Sequence, residues 1–336
     1  MKITKESYRP LELQEGFYLD NYYENYQMMY TNAESRNWKY NCTYQLLPDK
    51  AAGHHQVLHL SNLQVVYSRR EGGIMQDIHL ATDTISIATI EEVGDKMCFY
   101  CTKLKAGDII FWDGSRSYNF LTNDTTQFRM VNIKKSLLGP LLPLLEDALH
   151  KTVHDTDNLL SRTLKEVWEE FTTTTKSDKI DFVNAEAKIL EVIKKLLNDQ
   201  TPKLHKLTKG EEVCLRIRED VYNHIDAKVD IKSLSREYNI SERTMQTSFR
   251  SLFGITPNKF LRHMKLNHVY HNLRYKNDEK ESLMKIAHKW GFTHMGHFTT
   301  YYKKLFGETP TQTRLSGLKE EEILADSCVI REEELL

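Results

Sequence analysis

The chain is poor in the features that mark secreted, membrane-spanning or disulfide-linked proteins. Its 336 residues include only 5 cysteines, an odd number scattered along the sequence, which argues against a disulfide framework. No apolar run approaches the roughly 18–20 residues that span a bilayer. The N-terminal stretch 1–5 leads into polar sequence and lacks the apolar core of a signal peptide. We therefore expect a cytoplasmic protein without a membrane partner.

Motifs of catalysis and cofactor binding are missing as well. There is no phosphate-binding P-loop, no GxSxG elbow and no HExxH pair, so we expect no catalytic residue and no cofactor. Cys98-x-x-Cys101 is only half of a four-cysteine zinc site. Four histidines resemble the metal-binding histidines of cupins but lack the fuller acidic and histidine pattern: His54, His55, His59 and His79. No metal is predicted.

Charge is distributed unevenly along the chain. The net charge is −1, but residues 230–314 hold 15 Lys and Arg against 7 Asp and Glu, a balance of +8. Residues 317–336 hold 2 against 7, a balance of −5. A basic module within an acidic protein favours nucleic acid as the partner; the alternative is a well-solvated helical surface. The acidic tail is either a solvated end or a competitor of phosphate for the basic face.

The sequence up to Leu138 favours short strands broken by turns such as Gly72-Gly73. The predicted strands are His55 to Leu60, Leu63 to Arg70, Ile78 to Ile90, Met97 to Leu104, Asp108 to Trp112 and Phe128 to Ile133. Their spacing predicts a barrel or double-sheet jelly roll. Barrel mouths often hold ligands, and five residues are candidates to line an effector pocket, or else to form core and surface: Tyr67, Arg69, Trp112, Tyr118 and Phe120.

From Gly139 the apolar period becomes helical. Stripes over Leu141–Leu149, Leu159–Phe171 and Val183–Leu197 predict three helices that pack on the barrel or on a twin subunit. Residues 203–210, bounded by Pro202 and Gly210, are the expected linker.

A repeated sequence organises the C-terminal part. Leu252-Phe253-Gly254-Ile255-Thr256-Pro257 recurs 53 residues later as Leu305-Phe306-Gly307-Glu308-Thr309-Pro310, which indicates one supersecondary unit used twice. Each copy closes a helix–turn–helix pattern in which Ser241 is a good N-cap and each glycine a good helix stop. Tandem helix pairs also occur in protein-interaction modules. The basic charge balance is therefore part of the reason for predicting DNA, rather than another protein, as the partner.

Residues 211–315 resemble the DNA-binding domain of AraC/XylS-type transcription regulators. The motifs that carry the resemblance are Ser241-Glu242-Arg243-Thr244-Met245-Gln246, Phe253 to Leu261, Lys265-Leu266-Asn267, Ala287 to Phe292, and Leu305 to Pro310. His294 to Phe298 with Tyr302 look most like a subgroup that includes ethanolamine-operon activators. The stretch Ala106 to Trp112 looks like the effector-binding β-domain of such regulators.

The resemblance implies two recognition helices in successive major-groove segments of double-stranded DNA. The positions matching the base-reading surface are Arg243, Gln246 and Thr247 on the first helix, and Met295, Gly296, His297, Thr299 and Thr300 on the second. The second set is poor in long hydrogen-bonding side chains. It departs in this from the family's pattern and argues against strong base reading by the second helix. Candidate phosphate contacts are Ser241, Arg250, Lys303 and Lys304.

The sequence thus predicts an α+β protein in five segments: a cupin-like effector-binding β-domain over 1–138, a helical dimerisation segment over 139–202, a linker over 203–210, an AraC-type DNA-binding domain over 211–316 and an acidic tail over 317–336. The expected function is transcription regulation, as an activator and homodimer that contacts RNA polymerase and senses a small-molecule effector. The alternatives are a cupin-like metal enzyme with an accessory helical domain, and a helical interaction module.

Overall fold

The computed structural model of the chain describes residues 11–23, 39–47, 52–79, 81–95, 97–99, 102–115, 118–122, 124–173, 181–204, 207–224, 229–276 and 281–317. It consists of two compact units, one with Met1–Thr43 and Lys50–Leu207, the other with Tyr44–Asp49 and Thr208–Leu336. The first is rich in strands and the second is helical. The predictions for Cys101 and for the acidic tail beyond Gly317 lie outside the described residues.

The strands of the first unit form two sheets. They are β1 (Tyr18–Tyr23), β2 (Lys39–Gln45), β3 (Ala52–His59), β4 (Leu63–Glu71), β5 (Ile74–His79), β6 (Thr84–Val93), β7 (Met97–Phe99), β8 (Thr102–Leu104), β9 (Asp108–Asp113), β10 (Tyr118–Thr122), β11 (Thr126–Lys134) and β12 (Thr152–His154). One sheet has the order β1-β3-β4-β11-β6-β9-β12 and the other β2-β5-β10-β7-β8. Strand β11 pairs antiparallel with β4 and with β6.

The two sheets pack face to face over an aromatic and aliphatic core. Val66, Ile110 and Met130 of the seven-stranded sheet share one buried cluster with Phe99 and Phe120 of the five-stranded sheet. Alternate residues of a strand point to opposite faces, so one face of each sheet fills this layer. A β-rich first part is therefore confirmed, whereas the closed barrel or jelly roll stays a prediction.

Helices cover the other face of the seven-stranded sheet. They are α1 (Lys135–Leu138), α2 (Leu142–Ala148), α3 (Leu159–Thr173) and α4 (Phe182–Asp199). The apolar stripes of α3 and α4, including Leu164 and Ile189, lie in one buried cluster with Val65, Ile87 and Val131 of the sheet. These stripes are buried within the unit. A dimer interface on α3 and α4 would therefore have to use their remaining, more polar surface.

A buried polar ladder crosses the seven-stranded sheet. Ser86 donates to Asn132 (2.5 Å), Asn132 donates to Gln64 (2.8 Å), and Gln64 lies 2.8 Å from His59. All four side chains are buried. Pairing polar groups with one another removes the penalty of burying them, and it links β6, β11, β4 and β3 in one register.

Several strand predictions need correction. Ile78 to Ile90 is two strands, β5 and β6, and Met97 to Leu104 is also two, β7 and β8, which pair antiparallel. Strand β12 lies inside the segment predicted to be purely helical, because Thr152–His154 pairs with β9. Lys203, placed in the linker from sequence, exchanges backbone hydrogen bonds of 2.8 and 2.9 Å with Thr152.

The helices of the second unit follow the predicted order. They are α5 (Lys209–His224), α6 (Ile231–Glu237), α7 (Glu242–Phe253), α8 (Pro257–His271), α9 (Leu283–Lys289) and α10 (Met295–Phe306). Helix α5 begins inside the predicted linker, where Thr208 and Glu211 cap it reciprocally: the Thr208 amide donates to Glu211 and the Glu211 amide to Thr208. Within the described ranges, none of the helices is long and apolar enough to cross a membrane.

Candidate nucleic-acid interface

The two helix pairs of the second unit, α6–α7 and α9–α10, turn in the same way. The amide of Ile240 donates to the Ser235 carbonyl (3.0 Å), and the amide of Phe292, 52 residues later, donates to the Ala287 carbonyl (3.0 Å). The residue before each donor has a positive φ: 48° at Asn239 and 82° at Gly291. Asparagine and glycine tolerate that left-handed conformation best, so the two turns use different residues for one backbone shape.

The repeated glycines end α7 and α10 identically. Gly254 has φ 70° and Gly307 has φ 74°, and each donates its amide to the carbonyl four residues earlier, Arg250 or Lys303, at 3.1 and 2.9 Å. A left-handed glycine after the last helical residue is the usual helix stop. The structure therefore confirms two helix–turn–helix units of common design.

The starts of these helices differ. The Ser241 hydroxyl caps α7 by accepting the Thr244 amide (3.0 Å). His294 occupies the same position before α10 and makes no side-chain cap. The exposed amides at the start of α10 are thus left for water or another acceptor.

Helix α7 presents one polar stripe to the outside. Arg243, Gln246, Thr247 and Arg250 are all exposed, and their spacing of three, four and seven places them on one face. The opposite face is fully buried, with Met245 as one of its residues. Every base-reading candidate predicted on this helix therefore lies at the surface.

Helix α10 has a different exposed stripe. Gly296, His297, Thr299, Thr300, Lys303 and Lys304 are exposed, and Met295 is half-buried. The Thr300 hydroxyl donates to the Gly296 carbonyl (2.9 Å), so part of its hydrogen-bonding capacity is used within the helix. A Cβ at Gly296 would meet nothing within 4 Å. The exposed side chains of this face are mostly short, and its lysines lie only at the C-terminal end.

Both helices stand on rigid cores. On the first, Phe249 and Phe253 pack with Phe260 of α8 at ring separations of 5.4 and 5.2 Å. On the second, Tyr302 is fully buried and its hydroxyl donates to Thr313 (2.8 Å). Burial raises the pKa of Tyr302 well above its usual range, so it remains a neutral hydrogen-bond donor.

Sequence reasoning missed a basic cluster that forms between α8 and α10. Burial lowers the pKa of Lys259, and the nearby charges of Lys304 and Arg262 lower it further. Arg262 also lies over the ring of Tyr301, 4.1 Å from its centroid. The sequence does show two basic residues three positions apart on α8. That Lys259 lies near Lys304 could be seen only in the folded structure. Such like charges attract an anion.

The five predicted effector-pocket residues do not line one cavity. Trp112, Tyr118 and Phe120 are buried between the sheets. Tyr67 and Arg69 alternate with the inward-facing Val66 and so point to the other face. There Tyr67 lies under Arg129, 4.6 Å from the guanidinium, and the Arg69 side chain is 45% exposed.

A small cavity adjoins Phe99, which packs against the inward trio. This cavity, lined by Phe99, Ile110 and His150, among others, measures about 10 Å³, room for roughly one water molecule. An effector entering here would have to displace side chains.

The cysteine and histidine candidates are dispersed. Cys98 is buried on β7. His54 contacts Asp20 at 2.5 Å, whereas His55 stacks on Tyr23 at 5.0 Å and His59 belongs to the polar ladder. The side chain of His79 lies outside the described part of the chain. No group of three or more His, Cys, Asp or Glu within that part could hold a metal ion.

Comparison with known proteins agrees with this geometry for the second unit. A family model described as a helix-turn-helix domain matches residues 234–316. This match confirms the prediction of a helix-turn-helix domain in the C-terminal part of the chain. The chain is 28% identical over 89 residues to a probable thc operon regulatory protein of Rhodococcus erythropolis, covering 26% of this chain and 27% of the relative. It is 26% identical over 113 residues to a XylDLEGF operon transcriptional activator of Pseudomonas putida, covering 34% and 35%.

The chain spans about a quarter to a third of the length of these two relatives. Among solved structures, it is similar to the AraC-like transcriptional activator CuxR, with 12% sequence identity and coverage of 76% of this chain and 96% of that one. The TM-score of this match is 0.43.

Proposed function

We propose that this protein is a DNA-binding transcription regulator of the AraC/XylS type and acts as an activator. The observation that carries the proposal is the pair of helix-turn-helix units with the same turn and exit geometry, each exposing a polar stripe on its second helix. The similarity of the chain to an operon transcriptional activator and to a probable operon regulatory protein supports it. The basic balance of residues 230–314 supplies the electrostatic attraction that phosphate requires.

Helix α7 is proposed to read base edges. Arg243 has the fork geometry that pairs with guanine, and Gln246 the amide that pairs with adenine. Thr247 lies beside them and would contact a base methyl group. Ser241 and Arg250 lie at the start and further along the same stripe, where they would contact phosphate and set the register.

Helix α10 is proposed to pack closely in the next major-groove segment, about 34 Å away. Met295, Gly296, His297, Thr299 and Thr300 would make apolar, methyl and backbone contacts rather than bidentate hydrogen bonds. Lys303 and Lys304 would contact phosphate. We add Lys259 and Arg262 of α8 to this phosphate-binding set, because Lys259 lies near the positive charges of both Lys304 and Arg262.

The first unit is proposed to sense a small-molecule effector within a cupin-like barrel or jelly roll. The effector is proposed to contact the inward aromatic trio Trp112, Tyr118 and Phe120. Tyr67 and Arg69 are not included because they point to the other face of the sheet. Effector binding would bias the population able to grip DNA. A homodimer that contacts RNA polymerase, within the subgroup near ethanolamine-operon activators, completes the proposal.

Selection from a random pool of DNA duplexes, with and without candidate metabolites, tests this function. We expect an enriched site with two contacted segments about one helical turn apart, and binding that weakens with salt. Failure to enrich any duplex, together with no salt-sensitive gel shift on random duplex, would favour a protein-interaction module instead. Sedimentation of the full chain with the enriched duplex gives the number of copies bound.

A further inference from the structure

The helical second unit contains a short piece from the N-terminal part of the sequence. Residues Tyr44–Asp49, which begin with the last two residues of β2, belong to this unit rather than to the unit that holds the rest of that strand. Gln45 is 4% exposed and Leu46 is fully buried. A segment so deeply buried is a component of the unit's core.

Helix α8 binds the backbone of this segment through two side chains one turn apart. The Gln45 amide donates to Asn267 Oδ1 (2.8 Å), and Asn267 Nδ2 donates back to the Gln45 carbonyl (2.9 Å). His263 Nδ1 lies 2.6 Å from the Leu46 carbonyl; because a carbonyl only accepts, this nitrogen carries the proton. Asn267 thus pairs with a peptide group as a neighbouring strand would.

The same segment reaches α10. Gln45 Nε2 donates to the Leu305 carbonyl at 2.6 Å. Leu305 lies in the last turn of α10, where carbonyls have no partner within the helix, and it is 2% exposed. A buried carbonyl without a partner is costly, so the Gln45 amide satisfies a need that α10 cannot meet itself.

We propose that Gln45 and Leu46, held by His263, Asn267 and the Leu305 carbonyl, form a clasp that positions α10 on α8. Helix α8 connects the two helix-turn-helix units, so the clasp sets where the second recognition helix stands relative to the first. Gln45 is the last residue of β2, so the clasp is continuous with that strand along the chain. The DNA part of this inference rests on the proposed function.

Hydrogen exchange of the DNA-free full chain tests the clasp directly. Gln45→Ala removes the side-chain amide, which donates to the carbonyls of Leu305 and Leu47, and keeps the backbone pairing with Asn267. Asn267→Asp keeps the acceptor for the Gln45 amide but turns a carboxylate oxygen toward the Gln45 carbonyl. We expect at least tenfold faster exchange in the last turn of α10 in both variants, with α7 unchanged. Asn258→Asp, the same change at an exposed position of α8, is the matched control and should exchange like the wild type.

Footprinting then tests positioning, using a duplex enriched by the wild-type chain. The wild type should protect two groove segments, whereas Gln45→Ala should keep the α7 segment and lose most protection of the α10 segment. Unchanged exchange in α10, equal acceleration in α7 and α10, or a full footprint in both clasp variants would overturn the proposal. If exchange responds as expected but the wild type enriches no duplex, the clasp stands and the proposed function fails.

Discussion

At the scale of single residues, the two recognition helices carry unlike side chains on a like backbone. Arg243 and Gln246 are long donors and acceptors on an exposed stripe, and Gly296 and Thr299 are short. Exposure and residue type together are the reasons for proposing α7 as the helix that discriminates between bases. The exposed residues of α7 could be predicted from sequence, because one helical face is defined by the helical period and by the residue that caps the helix start.

Replacing Arg243 by Ala is expected to cost about 1–3 kcal/mol of DNA-binding free energy, concentrated at one base position. The reason is the loss of a bidentate pair with one base. Affinities for a panel of single-base variants of the enriched site measure this. Lys259→Ala is the contrasting variant: it should weaken all duplexes alike and reduce the salt slope by about 1. An equal loss on every sequence for Arg243→Ala would assign that residue to phosphate.

Replacing Gly296 by Ala is expected to stabilise the free protein and weaken its complex. Glycine costs roughly 0.5–1 kcal/mol in a helix relative to alanine, and the added Cβ has no neighbour within 4 Å. Urea unfolding should show the gain. On the enriched duplex we expect a several-fold loss of affinity, because a methyl group would stand between α10 and the groove. Unchanged affinity would show that α10 does not approach DNA at this residue.

At the scale of elements, caps explain why helices begin where they do. Ser241 and Thr256 accept amides in the first turns of α7 and α8, and glycines close α7 and α10. These signals are local, which is why helices α6 to α10 could be placed from sequence within a few residues. Strands depend on partners that are distant in sequence, which is why β1, β2, β10 and β12 were missed.

The uncapped start of α10 yields a stability prediction. His294→Ser should add an acceptor for the first-turn amides and raise the free energy of unfolding by about 0.5–1 kcal/mol. Ser241→Ala, at the equivalent position before α7, should lower it by about 1 kcal/mol. Urea unfolding of both variants measures the pair. Opposite signs are expected; a loss in both would mean that the His294 imidazole stabilises α10 in another way.

At the scale of the whole molecule, each unit contains a buried histidine whose lowered pKa makes folding less favourable in acid. Burial lowers the pKa of His59 in the first unit to about 4, and that of His263 in the second to about 4. An unfolded histidine titrates near 6.5, so between these values the unfolded chain binds more protons. The stability contributed by the neutral imidazoles is complete above about pH 6.5 and is lost as the pH falls through about 4.

Thermal unfolding from pH 7 to pH 4 checks this expectation. Both units should lose stability as the pH falls from about 6.5 to about 4. His59→Gln should remove most of the pH dependence of the first unit without changing that of the second. A first unit whose stability stays constant between pH 6.5 and pH 4 would contradict the burial argument for His59.

The sequence by itself determined the helical second unit, because its evidence is local: a repeat at 53 residues, helix caps, glycine stops and a basic balance. It also indicated a strand-rich first part through short apolar runs and turns. Which faces these elements bury was decided only by tertiary structure, as with Tyr67 and Trp112 on opposite faces and the α3 and α4 stripes on their own sheet. The clasp shows the reason most plainly, since Gln45 and Asn267 are 222 residues apart. The Asn267 side chain pairs with the backbone of Gln45, and a pattern of side chains in the sequence does not record backbone contacts.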